Sequence, residues 1–356
     1  MINPVMSHYQ TPVITERSKA LDAWLKPWLL GSTCSLVTVA GDASFRSYYR
    51  LPAAQNTQDK NLILMDAPPE KECSKAFIHL ARAWHQRGVQ VPELLAYDLD
   101  LGVALLQDFG DNQLMRCVDI QHPQVADRFY QQALQQLSQL QQLPADAADD
   151  HPLPDYDAAL LTRELDLFDD WLLNQLLGIT ERPASWQAFR AQLVQEALDQ
   201  PRVTVHRDYH SRNLMLLNNG QLGILDFQDA VFGPCTYDAV SLIRDCYLLW
   251  PQPLQQSWLK LAHQLHCETF KPVSFAQYHH WFDWMGMQRH LKAAGIFARL
   301  WLRDGKAGYL QDIPRTLTHL IQALDAYPDY QDLRDWLQQD IQTALKSRLQ
   351  CLRHDQ

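Results

Sequence analysis

Val205-His206-Arg207-Asp208-Tyr209-His210-Ser211-Arg212-Asn213, followed after a short gap by Leu225-Asp226-Phe227-Gln228, is the stretch that decides the fold. It presents a His-x-Asp, an Asn five residues after that Asp, and a second Asp behind a predicted strand. Between the two pieces lies Asn218-Asn219-Gly220, a hairpin signal that predicts two short strands, one on each side. Phosphoryl transfer to a hydroxyl needs these residue types at these spacings. The hydroxyl must be oriented and relieved of its proton, which suits the carboxylate of Asp208. A triphosphate must be neutralised, and hard Mg²⁺ prefers oxygen ligands, which Asn213 and Asp226 can supply from opposite sides of a tight hairpin. Any one of these pieces alone reads as an ordinary turn or strand-end residue; their order and spacing together make the pattern specific.

Outward from this stretch the chain divides in two. Towards the N-terminus, short apolar runs predict strands at Leu36 to Val39, Tyr48 to Leu51, Leu62 to Met65, Pro92 to Tyr97 and Val103 to Gln107. One helix interrupts them, from about Glu70 to Arg87, with Phe77, Leu80, Ala81 and Trp84 on one face. After Asp108-Phe109-Gly110-Asp111-Asn112 the pattern turns helical, beginning with Val125, Phe129, Leu134, Leu137 and Leu140 in a Gln-rich stretch. The acidic, Pro-containing segment Ala145 to Asp157 predicts a loop. Helices follow near Ala158 to Leu177 and Ser185 to Asp199, and from Tyr237 onward the chain is predicted almost wholly helical. The expectation is an α+β, two-lobed fold: residues 1–107 as a small β-rich nucleotide-binding lobe, residues 108–356 as a mainly helical lobe carrying catalysis and the acceptor, and a cleft between them.

Composition narrows the function. The 356 residues are 47% hydrophobic, enough for a sizeable core. No run resembles a signal sequence or approaches the length that spans a bilayer, so a cytoplasmic protein is expected, without membrane contact. A net charge of −10 argues against a nucleic-acid partner, since phosphate backbones need clustered Lys and Arg. The seven cysteines are scattered and contain no Cys-x-x-Cys pair, so neither a disulfide framework nor a zinc site is expected. No obligatory protein partner is evident.

The catalytic stretch and Asp226-Phe227-Gln228 resemble the aminoglycoside and choline kinase superfamily, whose fold is protein-kinase-like. More narrowly, Gly41-Asp-Ala-Ser-Phe-Arg-Ser-Tyr-Tyr-Arg50, Leu64-Met-Asp-Ala-Pro-Pro69, Arg163-Glu-Leu-Asp-Leu-Phe168, Tyr237-Asp-Ala-Val-Ser-Leu-Ile-Arg-Asp-Cys-Tyr247 and Gln288-Arg-His-Leu-Lys292 look like the anomeric N-acetylmuramate/N-acetylglucosamine kinases of peptidoglycan recycling. The similarity runs from about residue 20 to about residue 330. It implies ATP as donor, Mg²⁺, and an amino sugar phosphorylated at its anomeric hydroxyl to the 1-phosphate. It further implies that Gly41 to Arg46 forms the loop over the triphosphate, with backbone N–H groups from Ala43, Ser44 and Phe45 as donors. The stretch from Leu106 to Gly110 resembles the family's hinge, which makes Gln107 and Phe109 nucleotide contacts. His206 and Arg207 support the loop, and Asp238 is expected to be buried and to accept hydrogen bonds from it. His210, Arg244, Asp245 and Gln288 are candidates for the acceptor, although Arg244 and Asp245 also read as a solvated ion pair.

Two features sit beside this pattern. The helix predicted from about Phe275 to Leu302 carries Gln288, Lys292, Gly295 and Arg299 on one side, with Trp281 and Trp284 earlier, a face that would suit a sugar bearing a carboxylate or else belong to the core. The third strand, Leu62-Ile-Leu-Met-Asp66, lacks the Lys expected to grip the α- and β-phosphates. Arg46, or else Arg50, is the expected substitute, and Glu70 and Glu72 have no assigned partner. The alternatives are a kinase for another hydroxyl, such as an aminoglycoside, and a catalytically silent nucleotide-binding regulator.

Overall fold

The computed structural model describes residues 16–31, 36–39, 45–148 and 151–354. The chain separates into two compact units, residues 1–78 with 93–108, and residues 79–92 with 109–356.

In the first unit, helix α1 (Glu16–Leu25) precedes strands β1 (Val37–Thr38), β2 (Ser47–Leu51) and β3 (Leu62–Asp66); helix α2 (Lys75–Gln86) begins here, and β4 (Leu94–Asp98) and β5 (Val103–Gln107) follow it. The strands form one antiparallel sheet in the order β1-β2-β3-β5-β4. Alternation puts Leu62 and Leu64 of β3 on one face, where they meet Leu51, Val103 and Leu105 and the apolar side of α1, Leu21 and Leu25. Helix α1 is not evident from the sequence pattern. Its Arg17 fastens it to the sheet by an ion pair with Asp66 and a hydrogen bond to the Leu101 carbonyl (2.6 Å). Met65 on the opposite face is fully buried, so the strand that would carry the missing lysine is an interior strand. Helix α2 starts at Lys75 rather than near Glu70, because Pro68 and Pro69 turn the chain first and the Lys71 N–H bonds back to the Pro68 carbonyl.

The second unit holds α3 (Leu114–Cys117), α4 (Pro123–Gln141), α5 (Ala158–Leu167), α6 (Trp186–Leu198), β6 (Arg202–Val205), β7 (Leu214–Leu216), β8 (Leu222–Ile224), β9 (Val231–Pro234), α7 (Tyr237–Ile243), α8 (Gln252–Thr269), α9 (Phe275–Leu302), α10 (Ile313–Leu324), α11 (Gln331–Trp336) and α12 (Gln342–His354). The hairpin expected around Asn219-Gly220 is β7–β8, with Gly220 at φ 79°. A second antiparallel pair, β6–β9, brackets it and was not read from sequence. Its two strands lie far apart in the chain, and no hairpin signal joins them. The predicted helix over 158–177 is α-helical only to Leu167 and continues as a π-helical turn from Phe168 to Leu177, which Gly178 ends in a left-handed cap at φ 69°. No described helix is long and apolar enough to cross a membrane.

Helix α9 is the axis of this unit. Every residue from Trp281 to Gly295 is buried, so α9 is enclosed on all sides by α5, the π-helical turn, α6, α7 and α10. Trp281 and Trp284 thus belong to the core. Close approach at one point requires glycine: a Cβ on Gly295 would lie 2.5 Å from the backbone nitrogen of Phe168. Gly295→Ala should therefore cost about 1–3 kcal/mol of stability, measured by urea denaturation, since backbone on a helix cannot step aside as a side chain can.

A second consequence of this packing is pH dependence. His290 of α9 and His319 of α10 stack with centroids 5.0 Å apart, both buried. Burial holds the His319 imidazole at about 3, while His290 is also pushed well below its usual value, mainly by burial. Both are neutral in the folded protein, whereas the unfolded chain takes up their protons near pH 6.5. The stability that neutral His319 supplies is complete above that pH and is lost as pH falls towards 3. Between pH 7 and pH 5, His319→Phe should lose about 2 kcal/mol less stability than the natural chain, read from paired urea titrations.

Candidate active site

The second unit brings Asp208, Asn213 and Asp226 into one hydrogen-bonded group. Asn213 Nδ2 donates to the Asp208 carbonyl (3.1 Å) and to Asp226 Oδ2 (3.3 Å), and Gln228 Nε2 donates to Asp226 Oδ1 (2.6 Å). The β7–β8 hairpin makes this possible, because Asn213 immediately precedes β7 and Asp226 follows β8, and the Leu225 N–H bonds to the Asn213 carbonyl (2.9 Å). Asp226 adopts φ 65° and Arg207 φ 75°, left-handed values that cost a non-glycine residue about 1–3 kcal/mol and persist only where surroundings impose them.

Buried carboxylates impose them on the loop from 206 to 213. Asp238, in the first turn of α7 and fully buried, accepts from the backbone N–H of His206 (2.7 Å) and of Arg207 (3.0 Å). Burial lifts its carboxyl to about 7 against the pull of those two N–H groups. Asp245, also fully buried, accepts from the Ser211 N–H (3.0 Å), the Ser211 hydroxyl (2.5 Å) and the Tyr247 N–H (2.8 Å). Tyr209 is buried and donates its hydroxyl to the Ala133 carbonyl (2.8 Å). His206 packs beside Trp84 and Tyr209, and burial drops its imidazole to about 4, so it is neutral at ordinary pH. His210 lies edge-on to Tyr247 with its pKa lowered, chiefly by burial. Burial would also raise the Asp208 carboxyl, but the charges of Lys292, and then His210, Arg207 and Arg289, hold it below its usual value. It is thereby kept ionised.

Below the loop is a polar cluster that the sequence reading did not assemble. Glu164 of α5, 4% exposed, takes ion pairs from Arg207 and from Lys292 (3.0 Å) and hydrogen bonds from the Tyr156 hydroxyl and Gln288 Nε2 (3.1 Å). Lys292 Nζ also donates to the Tyr237 hydroxyl (2.9 Å). Burial opposes ionisation of Glu164, yet Lys292 and Arg207 hold its pKa below the usual carboxylate value. Glu164 falls in the stretch Arg163 to Phe168, three residues after Leu161 and four before Phe168, both of them buried. An acid on an apolar helix face was the signal that could have marked it.

Several acceptor candidates are placed elsewhere than expected. Gln288 is fully buried against Glu164. Asp245 faces the loop backbone and is no solvated ion-pair partner. Arg244 instead pairs with Asp283 (2.6 Å) and lies over the Phe282 ring, with its guanidinium carbon 4.7 Å from the ring centre. Arg299 at the far end of α9 is half-buried.

In the first unit, Arg46 is buried and ion-paired with Glu72 (2.7 Å), and Glu72 also accepts the Phe45 N–H (3.0 Å). The sequence left Glu72 without a partner; the structure supplies Arg46, because the chain before α2 passes beside the start of β2. Arg50 pairs with Asp108 (2.5 Å) and is not a solvated strand residue. The Phe45 side chain is exposed, and Gln107 ends β5, where its N–H bonds to the Glu93 carbonyl (2.9 Å). Phe109, in the second unit, lays its ring on Gly223, where any Cβ would collide with it. Gly41, Ala43 and Ser44 lie outside the described residues.

Comparison with known proteins gives this geometry a family. Residues 35–281 match the model of the phosphotransferase enzyme family. The N-acetylmuramate/N-acetylglucosamine kinase of Pseudomonas aeruginosa is 41% identical over 310 residues, covering 85% of this chain and 87% of that protein. The enzyme of the same name from Neisseria meningitidis is 35% identical over 320 residues, covering 88% and 93%. Among solved structures, Plasmodium vivax ethanolamine kinase shares the fold at a TM-score of 0.63 with 10% identity, covering 91% of this chain and 98% of that one. With its α+β architecture and its Asp208-Asn213-Asp226 group, the chain belongs to the phosphotransferase enzyme family, in the branch of the N-acetylmuramate/N-acetylglucosamine kinases.

Proposed function

We propose that this protein transfers the γ-phosphoryl group of ATP to the anomeric hydroxyl of N-acetylmuramate and of N-acetylglucosamine, giving the sugar 1-phosphate for cell-wall recycling in the cytoplasm. The observation that carries the reading is the hydrogen-bonded group of Asp208, Asn213 and Asp226 in a chain so similar to kinases of that name. Asp208 is the general base: kept ionised by the surrounding cations, its carboxylate takes the proton of the sugar hydroxyl as that oxygen attacks the γ-phosphorus. His206, Arg207 and Asp238 hold the loop so that this carboxylate keeps its place.

Asn213 and Asp226 suit Mg²⁺. Both offer hard oxygen atoms, they approach within 3.3 Å, and Asn213 commits its amide nitrogen to hydrogen bonds, which leaves its amide oxygen as the ligand atom. The ion, when bound, neutralises charge on the triphosphate. Arg46 of the first unit, braced by Glu72, supplies the cation for the phosphates that β3 does not carry, and the backbone near Phe45 and Gln107 of that unit and near Phe109 of the second supplies nucleotide contacts.

Incubation with Mg-ATP and, separately, each amino sugar and an aminoglycoside, followed by phosphorus NMR, tests the reading. A new phosphate coupled to the anomeric proton of the two sugars is expected. Transfer to the aminoglycoside alone, or to none, overturns it. Asp208→Asn should lower kcat by about 10²–10⁴ with the fold intact, and near-normal turnover would remove the base assignment. Arg46→Ala should raise the KM for ATP and lower kcat by about tenfold or more, whereas Arg46→Lys, which keeps the charge, should retain most activity. Steady-state kinetics within about threefold of the natural chain for Arg46→Ala would show that Arg46 is not the substitute.

A further inference from the structure

The Lys292–Glu164–Arg207 chain is costly to bury. Each ion gives up its hydration, and pairs of this kind are commonly replaced by apolar side chains with no loss of stability. Here the cost is concentrated beside a second one, the left-handed backbone of Arg207. Arg207 is the residue immediately before Asp208, so its backbone torsion sets the direction in which the Asp208 side chain leaves the chain. Two anchors restrain that torsion. Asp238 grips the His206 and Arg207 N–H groups from one side, and Glu164 grips the Arg207 guanidinium from the other. Among the described residues that guanidinium has one further hydrogen bond, a long one of 3.3 Å to the Asp229 carbonyl. Glu164 is in turn fixed by Lys292 and Gln288 on α9 and by Tyr156.

We infer that Glu164 and Lys292 are positioning residues: through the Arg207 side chain they hold Arg207 in its left-handed conformation and so aim Asp208 at the acceptor hydroxyl. The inference rests on the reading of Asp208 as the base. Among the described residues neither has a hydrogen bond to Asp208, and both are buried, Glu164 at 4% and Lys292 at 7% exposed. Their loss therefore slows the chemical step and leaves ground-state binding alone. A misplacement of about 1 Å in such a group can cost as much as 10²-fold in rate.

Glu164→Gln keeps the size of the side chain and removes its charge; it should lower kcat about tenfold or more while the KM values for ATP and for the sugar stay within about threefold. Glu164→Asp, which keeps the charge on a shorter stem and preserves the ion pairs needed for folding, should show the same split to a smaller degree. In the double variant Glu164→Gln/Lys292→Met both members of the pair are gone, so the thermal midpoint should recover towards that of the natural chain while kcat stays low even on the alkaline plateau of its pH profile, where loss of the Lys292 charge no longer limits ionisation of Asp208. Recovery of kcat together with stability would reduce the chain to a structural role and overturn the inference. So would a raised KM with unchanged kcat, which is the mark of direct substrate contact, or full turnover in both Glu164 single variants. Asp208→Asn, measured alongside, keeps the two readings apart: its retention of activity would remove the base, whereas its loss together with normal Glu164 variants would remove only the positioning chain.

Discussion

Two consecutive backbone N–H groups, those of His206 and Arg207, converge on the buried carboxylate of Asp238, and the geometry of the proposed site follows from that contact. Two successive N–H groups aimed at one carboxylate make an anion-binding concavity, and the second of the two residues, Arg207, leaves it in a left-handed torsion. Unmet, each buried N–H would cost about 1–3 kcal/mol, and the strained torsion would relax. Asp238 can hold them because α7 is buried along its whole length, from Tyr237 to Ile243, and so does not move independently of the core. The residue that follows α7 by two, Asp245, secures the other end of the loop through Ser211. One short helix thus fixes both ends of the segment that carries Asp208.

The firmness of α7 comes from α9. A helix enclosed on all sides is normally apolar all round, yet α9 carries Asp283, Gln288, Arg289, His290 and Lys292 inward. Each of them meets a group of a neighbouring segment: Asp283 meets Arg244, Gln288 and Lys292 meet Glu164, His290 meets the Arg244 carbonyl (2.9 Å), and Arg289 meets the Cys246 sulfur (3.4 Å). Directional contacts of this kind admit fewer packings than an all-leucine interface does, which is how a buried polar network specifies a single arrangement. Gly295 and Gly286 let the neighbours approach closely enough to make them, since a Cβ on Gly286 would come within 3.2 Å of Arg244 Nη1.

The β7–β8 hairpin and the grouping of Asp208 with Asn213 were legible because the residues involved are local in sequence: Asp208, Asn213 and Asn219-Gly220 lie within a dozen or so residues of one another. The five strands of the first unit were legible from short apolar runs for the same reason. Helix α1 was not, since its charged residues Glu16, Arg17 and Lys19 hide the two leucines that it buries. The β6–β9 pair and the Glu164 cluster were not either, because each joins segments far apart in the chain, and periodicity reports a face without naming what covers it. The basic residues on α9 left two readings open in the sequence, a face for an anionic sugar or part of the core. In the fold Lys292 is spent on an internal carboxylate, a choice that only tertiary contact decides.

The lysine absent from β3 leaves Arg46, paired with Glu72 near the end of that strand, as the cation proposed for the phosphates. In protein kinases a strand lysine is steadied by a glutamate on the helix that follows, and the pair presents one fixed cation to the phosphates. Here β3 is interior, with Leu62, Leu64 and Met65 fully buried, so a lysine at those positions would have to give up its hydration or distort the sheet. The register places Ser47 of β2 opposite Asp66 at the end of β3, which sets Arg46 directly beside the point where β3 stops. Arg46, which immediately precedes β2, meets Glu72 at 2.7 Å just ahead of α2, so a cation and an acid are paired there although β3 carries no lysine.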